Sequence, residues 1–300
     1  MRLIRETVTN KEENKLYWRA LIFTILGNVL LVIIKGIASH LSSSVALYAD
    51  ALNSASDVFY SLFMVVGLLI AIRPPDLSHP QGHSRFEPLV GILIATSMFF
   101  AGFQAASASI GRFQTGGAVI EPGLPTVVLF ASAALKAGMF FYISKIAVQL
   151  SSPALKVTAT DNLSDVLTSL AAFAGIIGSK YIHPLSDPIA GILVAAWIFR
   201  AVFLAVRENI SYLTGGGAGS DLRQKIIQTA ENVPGVLSVH HLMTEYAGPK
   251  LVVDMHINVN GDLPLSESHE INDAVAEKIE AMPEVDRAYI HLEPHDWEDK

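Results

Sequence analysis

Apolar residues run almost unbroken through six stretches of this chain, at about 16–39, 45–73, 87–112, 124–148, 158–180 and 187–212. A bilayer-crossing helix takes ~20 mostly apolar residues, and each stretch meets that length. Together they predict six transmembrane helices over 16–213, preceded by a polar segment at 1–15. The glycine-dense segment Thr214-Gly215-Gly216-Gly217-Ala218-Gly219 predicts a flexible linker over 214–219. Beyond it the pattern changes. Asp221 to Asn232 reads as a helix with Ser220 placed to cap it. Val236 to Tyr246 and Leu251 to Val259 alternate as strands do, with Ala247-Gly248-Pro249 as their turn. A second helix is expected from Ser266 to about Met282 and a last strand from Val285 to Leu292. The order α-β-β-α-β over 220–300 predicts a compact two-layer α+β domain.

Polar residues break the apolar runs at two places with the same spacing, Asn53-x-x-x-Asp57 and Asp161-x-x-x-Asp165. Ionisable groups at that depth cost ~2.5–3.5 kcal/mol on insertion scales, so they mark functional positions. A separation of four puts both members of a pair on one helical face. Two such faces turned toward each other offer oxygen ligands to one ion, a metal path through a membrane. Oxygen-only donors suit hard cations such as manganese or magnesium, whereas imidazole suits zinc. Buried carboxylates resist standing charged and alone, so protons and metal compete for the same oxygens and metal binding releases protons. The structural alternative is a set of interhelical hydrogen-bond partners.

Composition supports the membrane reading. The chain is 51% apolar and only 16% charged, against roughly 25% charged in ordinary soluble proteins. After Gly219 there are six Lys/Arg and sixteen Asp/Glu, a charge of −10 against −7 for the whole chain, so residues 1–219 carry +3. The acidic balance argues against a nucleic-acid partner. With no cysteine there is no disulfide and no thiolate metal site. The start MRLIRETVTNKEENK lacks the apolar core of a secretory signal. Arg2, Arg5, Lys11, Lys15 and Arg19 precede the first stretch, Arg73 and Arg85 flank the second connection, and Lys145 and Lys156 flank the fourth. The alternate connections are poor in charge, so both termini are expected in the cytoplasm.

Two further clusters carry metal-ligand chemistry. Asp76-x-x-His79-x-x-x-His83 lies in the connection PPDLSHPQGHSRFEP, where a carboxylate and two imidazoles stand close enough for a divalent cation. The tail holds six of the ten histidines. Strands that pair in one sheet can bring His240, His256 and His291 together, with His241 beside His240 on the first strand, Glu293 at the end of the last and His269 on the long helix.

Six spans, the doubled four-residue spacing in spans two and five, the D-x-x-H-x-x-x-H connection followed by Arg85 and Glu87, and the His-rich tail resemble the cation diffusion facilitator family over nearly the whole chain. The resemblance implies a homodimer in the plasma membrane that exports divalent metal from the cytoplasm in exchange for protons. It implies no cofactor, and a ferredoxin-like (metallochaperone-like) cytoplasmic domain. It maps a transport site onto Asn53, Asp57, Asp161 and Asp165, a loop site onto Asp76, His79 and His83, and a tail site onto His240, His256, His269, His291 and Glu293. Zinc members are similar to one another in having His or Asp in place of Asn53 and His in place of Asp161, whereas the quartet here resembles that of bacterial manganese exporters. Zinc members also pair a cation at the place of Arg85 with an acid after the last span. Thr214 and Gly215 stand there instead, which leaves Glu87 or lipid phosphate as the expected partner of Arg85.

The sequence therefore predicts a proton-coupled Mn(II) exporter, with Zn(II) or Fe(II) as the alternative cargo. A remote alternative is an intramembrane aspartyl protease built on Asp57 and Asp165, but Ala-Ser-Asp and Leu-Ser-Asp replace the Tyr-Asp and Gly-x-Gly-Asp of such enzymes. A passive channel is a third reading.

Overall fold

A computed structural model describes residues 11–42, 45–117 and 123–295, which form two compact units, Met1–Asn209 and Ile210–Lys300. In the first, six helices follow one another: α1 Lys11–Ser42, α2 Val45–Ala71, α3 Phe86–Gln114, α4 Leu124–Leu150, α5 Pro153–Tyr181 and α6 Ser186–Leu213. All six are long and apolar enough to cross a membrane. They correspond one to one with the six apolar stretches. Five of them extend past the apolar pattern at one or both ends, while α2 starts at the expected residue and stops at Ala71, two residues short of the expected end.

Neighbouring contacts close α1, α2, α3, α5 and α4 into a ring, in that order. In this ring α2 and α5 face one another across the interior, where Thr158 Oγ1 meets Met64 Sδ at 3.1 Å. Helix α6 packs outside against α3 and α5. Small residues permit that approach: a methyl group at Gly102 would stand 2.9 Å from Ile198 Cγ2, and one at Gly175 would stand 2.8 Å from the Asp187 backbone. The interior is filled by Met64, Leu68, Ile94, Met98, Ile143 and Leu155, while Leu26, Phe63, Phe103, Phe141 and Leu193 point outward. Apolar side chains on both surfaces are what a bundle solvated by lipid requires, since lipid tails are as apolar as Leu.

One polar knot sets the start of α5. Ser151 adopts a left-handed conformation (φ 50°) that ends α4, and Ser152 caps α5 by accepting the Leu155 N–H at 3.2 Å, with Pro153 at the first helical position. The Ser152 hydroxyl donates to Glu87 Oε1, and Tyr17 donates to Glu87 Oε2 at 3.2 Å. A buried carboxylate thus ties the second turn of α1 to the starts of α3 and α5. Glu87, a predicted partner of Arg85, accepts from both of these hydroxyls.

The second unit has the order α7 Ser220–Glu231, β1 Ser238–Tyr246, β2 Leu251–Val259, α8 Leu265–Glu280 and β3 Val285–Pro294. The sheet order is β1-β2-β3, antiparallel between the first pair and parallel between the second. Odd-numbered residues of β2 are buried under α7 and α8 against Ile226, Ala230, Val275 and Ile279. Even-numbered ones, including His256, stand on the opposite face. Gly219, not Ser220, occupies the capping position of α7. The glycine-dense segment is laid along β1: Tyr246 donates its N–H to Gly216 at 3.0 Å and Ala218 donates to Thr244 Oγ1 at 3.0 Å.

Candidate metal centres

Three of the four intramembrane oxygen residues lie among the described side chains. Asp57 on α2 and Asp161 on α5 line one cavity of about 20 Å³, room for a single water or bare ion. Asp165 stands one turn further along α5, on the same face as Asp161. Asn53 is on α2 one turn before Asp57, but its side chain lies outside the described residues. Helix α1 contributes Asn28, whose amide donates to Ser61 at 2.9 Å, and Ser61 donates in turn to the Asp57 backbone carbonyl at 2.7 Å. The buried Asn28 Oδ1 and Thr24 Oγ1 beside this cavity have no hydrogen-bond partner among the described residues. Both residues line the same cavity as Asp57 and Asp161.

Sequence reasoning missed Lys136. It sits mid-way along α4, 3% exposed, with Nζ 3.0 Å from Asp57 Oδ2 and 2.6 Å from Asp165 Oδ2. The contact to Asp57 is an aligned hydrogen bond; that to Asp165 is an ion contact off the hydrogen-bonding direction. Lys35 on α1 is a second buried intramembrane lysine, donating to Ser54 Oγ at 2.9 Å. The signal for both was in the chain: a lysine inside an apolar stretch is as costly as an aspartate there.

The connection between α2 and α3 brings Asp76, His79 and His83 together. His79 Nδ1 lies 3.6 Å from Asp76 Oδ1 and His83 Nε2 lies 3.4 Å from Asp76 Oδ2, with the two rings 4.5 Å apart. The Asp76 carboxylate accepts the backbone N–H groups of His79 at 2.7 Å and Ser78 at 2.9 Å. Those bonds, the His79 one foremost, hold its carboxyl below the usual aspartate range. The charged form is the one the fold favours. Its contribution to loop order is therefore complete above the ordinary aspartate pKa and lost as pH falls through the lowered value. His83 is buried, and its Nδ1 has no hydrogen-bond partner among the described residues.

In the second unit the sheet assembles the tail cluster. A bulge at His240 turns two consecutive histidines toward His256, with ring separations of 5.6 Å for His240 and 4.7 Å for His241. The parallel register sets His256 opposite His291, 4.9 Å ring to ring, and Asn258 opposite Glu293. Glu293 is buried at the centre. Its oxygens lie 3.1 Å from His240 Nε2, 3.2 Å from His256 Nδ1 and 3.5 Å from His291 Nε2. His240 Nδ1 meets Asn258 Oδ1 at 2.8 Å; the Asn258 amide nitrogen donates to Pro294 O, so the ring donates from Nδ1. Nε2 of His240, Nδ1 of His256 and the Glu293 carboxylate stand close enough together to hold one metal ion. His269 stands apart on α8, exposed, with Nε2 3.5 Å from Asp273.

Two family descriptions match the chain: the cation efflux transmembrane domain over residues 21–214, and the cation efflux protein cytoplasmic domain over residues 218–295. The chain belongs to the cation efflux family. Its relatives include the uncharacterized transporter MJ0449 of Methanocaldococcus jannaschii, 34% identical over 92% of this chain and 97% of that one. The manganese efflux system protein MneS of Bacillus subtilis is 28% identical over 90% of this chain and 93% of that one. The magnetosome protein MamM of Magnetospirillum gryphiswaldense is 29% identical over 83% and 79% respectively. The resemblance to cation diffusion facilitators drawn from the motifs is borne out, as are the six helices followed by a small α+β domain. A cation efflux protein is a metal transporter embedded in a membrane, which sets the protease reading aside.

Proposed function

We propose that this protein exports Mn(II) from the cytoplasm in exchange for protons, by alternating access, as a homodimer in the plasma membrane with both termini cytoplasmic. The observation that carries this reading is the shared cavity. Helices α2 and α5 are not neighbours, yet Asp57 and Asp161 line one space with Asp165 one turn away. The four-residue spacing assigns Asn53, one turn before Asp57, to the same site. Hard oxygen ligands without imidazole or thiolate favour manganese over softer ions. The similarity to a manganese efflux protein supports the same choice. Metal entering from the cytoplasm displaces protons from the carboxylates, and reprotonation on the far side releases it. Asp76, His79 and His83 form a second site at the cytoplasmic end. His240, His256, His291 and Glu293 form a third in the cytoplasmic domain, where metal binding links to dimerisation.

The test is flux in reconstituted vesicles with an imposed pH gradient, supplying manganese, zinc, iron, cobalt and cadmium in turn. Gradient-driven manganese flux that stops when the gradient is collapsed, with weaker zinc flux, supports the proposal. Zinc flux equal to or above manganese overturns the choice of cargo. Metal flux that continues down its own gradient after the pH gradient is collapsed points to a channel.

A further inference from the structure

The cluster at the centre of the bundle holds a cation of its own, the ammonium of Lys136. Its place in the fold keeps it inside the bundle. Position 136 is twelve residues from the start of α4 and fourteen from its end, roughly 18–21 Å of helix in either direction, too far for the side chain to reach a membrane surface. Ser132, Lys136 and Met139 share the inward seam of α4 and all three are buried. The partners of Nζ are carboxylate oxygens from two helices, Asp57 Oδ2 and Asp165 Oδ2, which therefore lie within about 5.6 Å of one another.

A divalent ion bound by both oxygens sits ~2.0–2.2 Å from each. That ion lies in the gap between the two oxygens, the gap that Nζ now bridges. An ammonium and a metal ion cannot both occupy it, and their like charges repel most strongly where water is scarce. Resting on the transport reading above, we propose that Lys136 is a tethered competitor of the transported cation: metal binds by displacing its ammonium from Asp57 and Asp165, and the ammonium's return helps expel the metal.

A competitor and a scaffold make opposite predictions. If Lys136 competes, removing its charge tightens binding and slows release, so KM and kcat fall together. If it only positions the two carboxylates, removing it loosens the site and raises KM. The experiment measures manganese flux at varied concentration in vesicles of wild type, Lys136→Met, Lys136→Gln and Lys136→Arg, with manganese binding to each detergent-solubilised protein alongside. Both charge-free variants are expected to lower KM by about tenfold and to reduce kcat, with tighter equilibrium binding, while Lys136→Arg keeps KM close to wild type. One charge-free variant that remains monodisperse suffices, because the binding measurement does not require turnover. An unchanged or raised KM with unchanged or weaker binding overturns the role of Lys136 and leaves the transport reading standing. A wild type that moves no metal overturns the transport reading instead.

Discussion

Asp57 on α2 and Lys136 on α4 meet at 3.0 Å across the interior of a ring in which their helices are not neighbours. The contact places a carboxylate and an ammonium at the same depth as Asp161, inside a span where either charge alone is costly. Removing one partner of a buried pair typically costs ~3–5 kcal/mol. Asp57→Ala is therefore expected to lower the thermal midpoint of the solubilised protein and to abolish metal flux. Asp57→Asn, which keeps the shape and one hydrogen-bond acceptor, is expected to melt closer to wild type yet still transport nothing. Flux at wild-type level in Asp57→Asn contradicts the site.

The Ser152 hydroxyl does two things, capping α5 and donating to the buried Glu87. Ser152→Ala removes both and leaves one Glu87 oxygen without that donor, at an expected cost of about 1–3 kcal/mol. Thermal unfolding in detergent measures it. Ser152→Thr, which keeps a hydroxyl, is expected to recover most of the loss.

Cargo choice rests on the donor set. Exchanging Asn53 and Asp161 together for histidine puts imidazole among the oxygens, and the zinc-to-manganese flux ratio is expected to rise by at least about tenfold, or ~1.4 kcal/mol of relative binding. A ratio that stays as in wild type means the quartet does not set selectivity.

The tail separates its histidines by position. Glu293 touches three imidazoles, whereas His269 is paired with Asp273 on α8. In the full-length solubilised protein, Glu293→Gln and His256→Ala are expected to eliminate one class of bound divalent metal. His269→Ala is expected to leave it in place. Loss of that class in His269→Ala would show that the helix contributes to the site.

Much of this was legible in the chain because physical periods are strict where a face is buried. Leu251 to Val259 alternates without interruption and forms a strand over those same residues. Asp161 and Asp165 announce themselves by a spacing of four just ahead of the charge-free stretch Val166 to Ser179. Lys136 carries no such partner spacing. It is a single cation whose meaning depends on which helix faces α4, and that is set by the ring order, not by the local pattern. His269 entered the tail site through the family resemblance, and within one chain it stands apart from the sheet cluster. Only the inward stripe through Val275 and Ile279 meets the strands, and His269 lies off it. The glycine segment read as free chain because glycine lacks a side chain to pack. Its backbone hydrogen bonds to β1 are invisible to composition.

The central claim, that the oxygens of α2 and α5 carry metal one way as protons move the other, is tested most directly by recording both fluxes in the same vesicles. Reconstituted wild type and Asp161→Asn would be loaded with a pH-sensitive and a manganese-sensitive dye and given manganese outside. The account predicts manganese uptake accompanied by proton efflux from the same vesicles, with both signals lost in Asp161→Asn. Manganese uptake without proton movement, or uptake undiminished in Asp161→Asn, would contradict it.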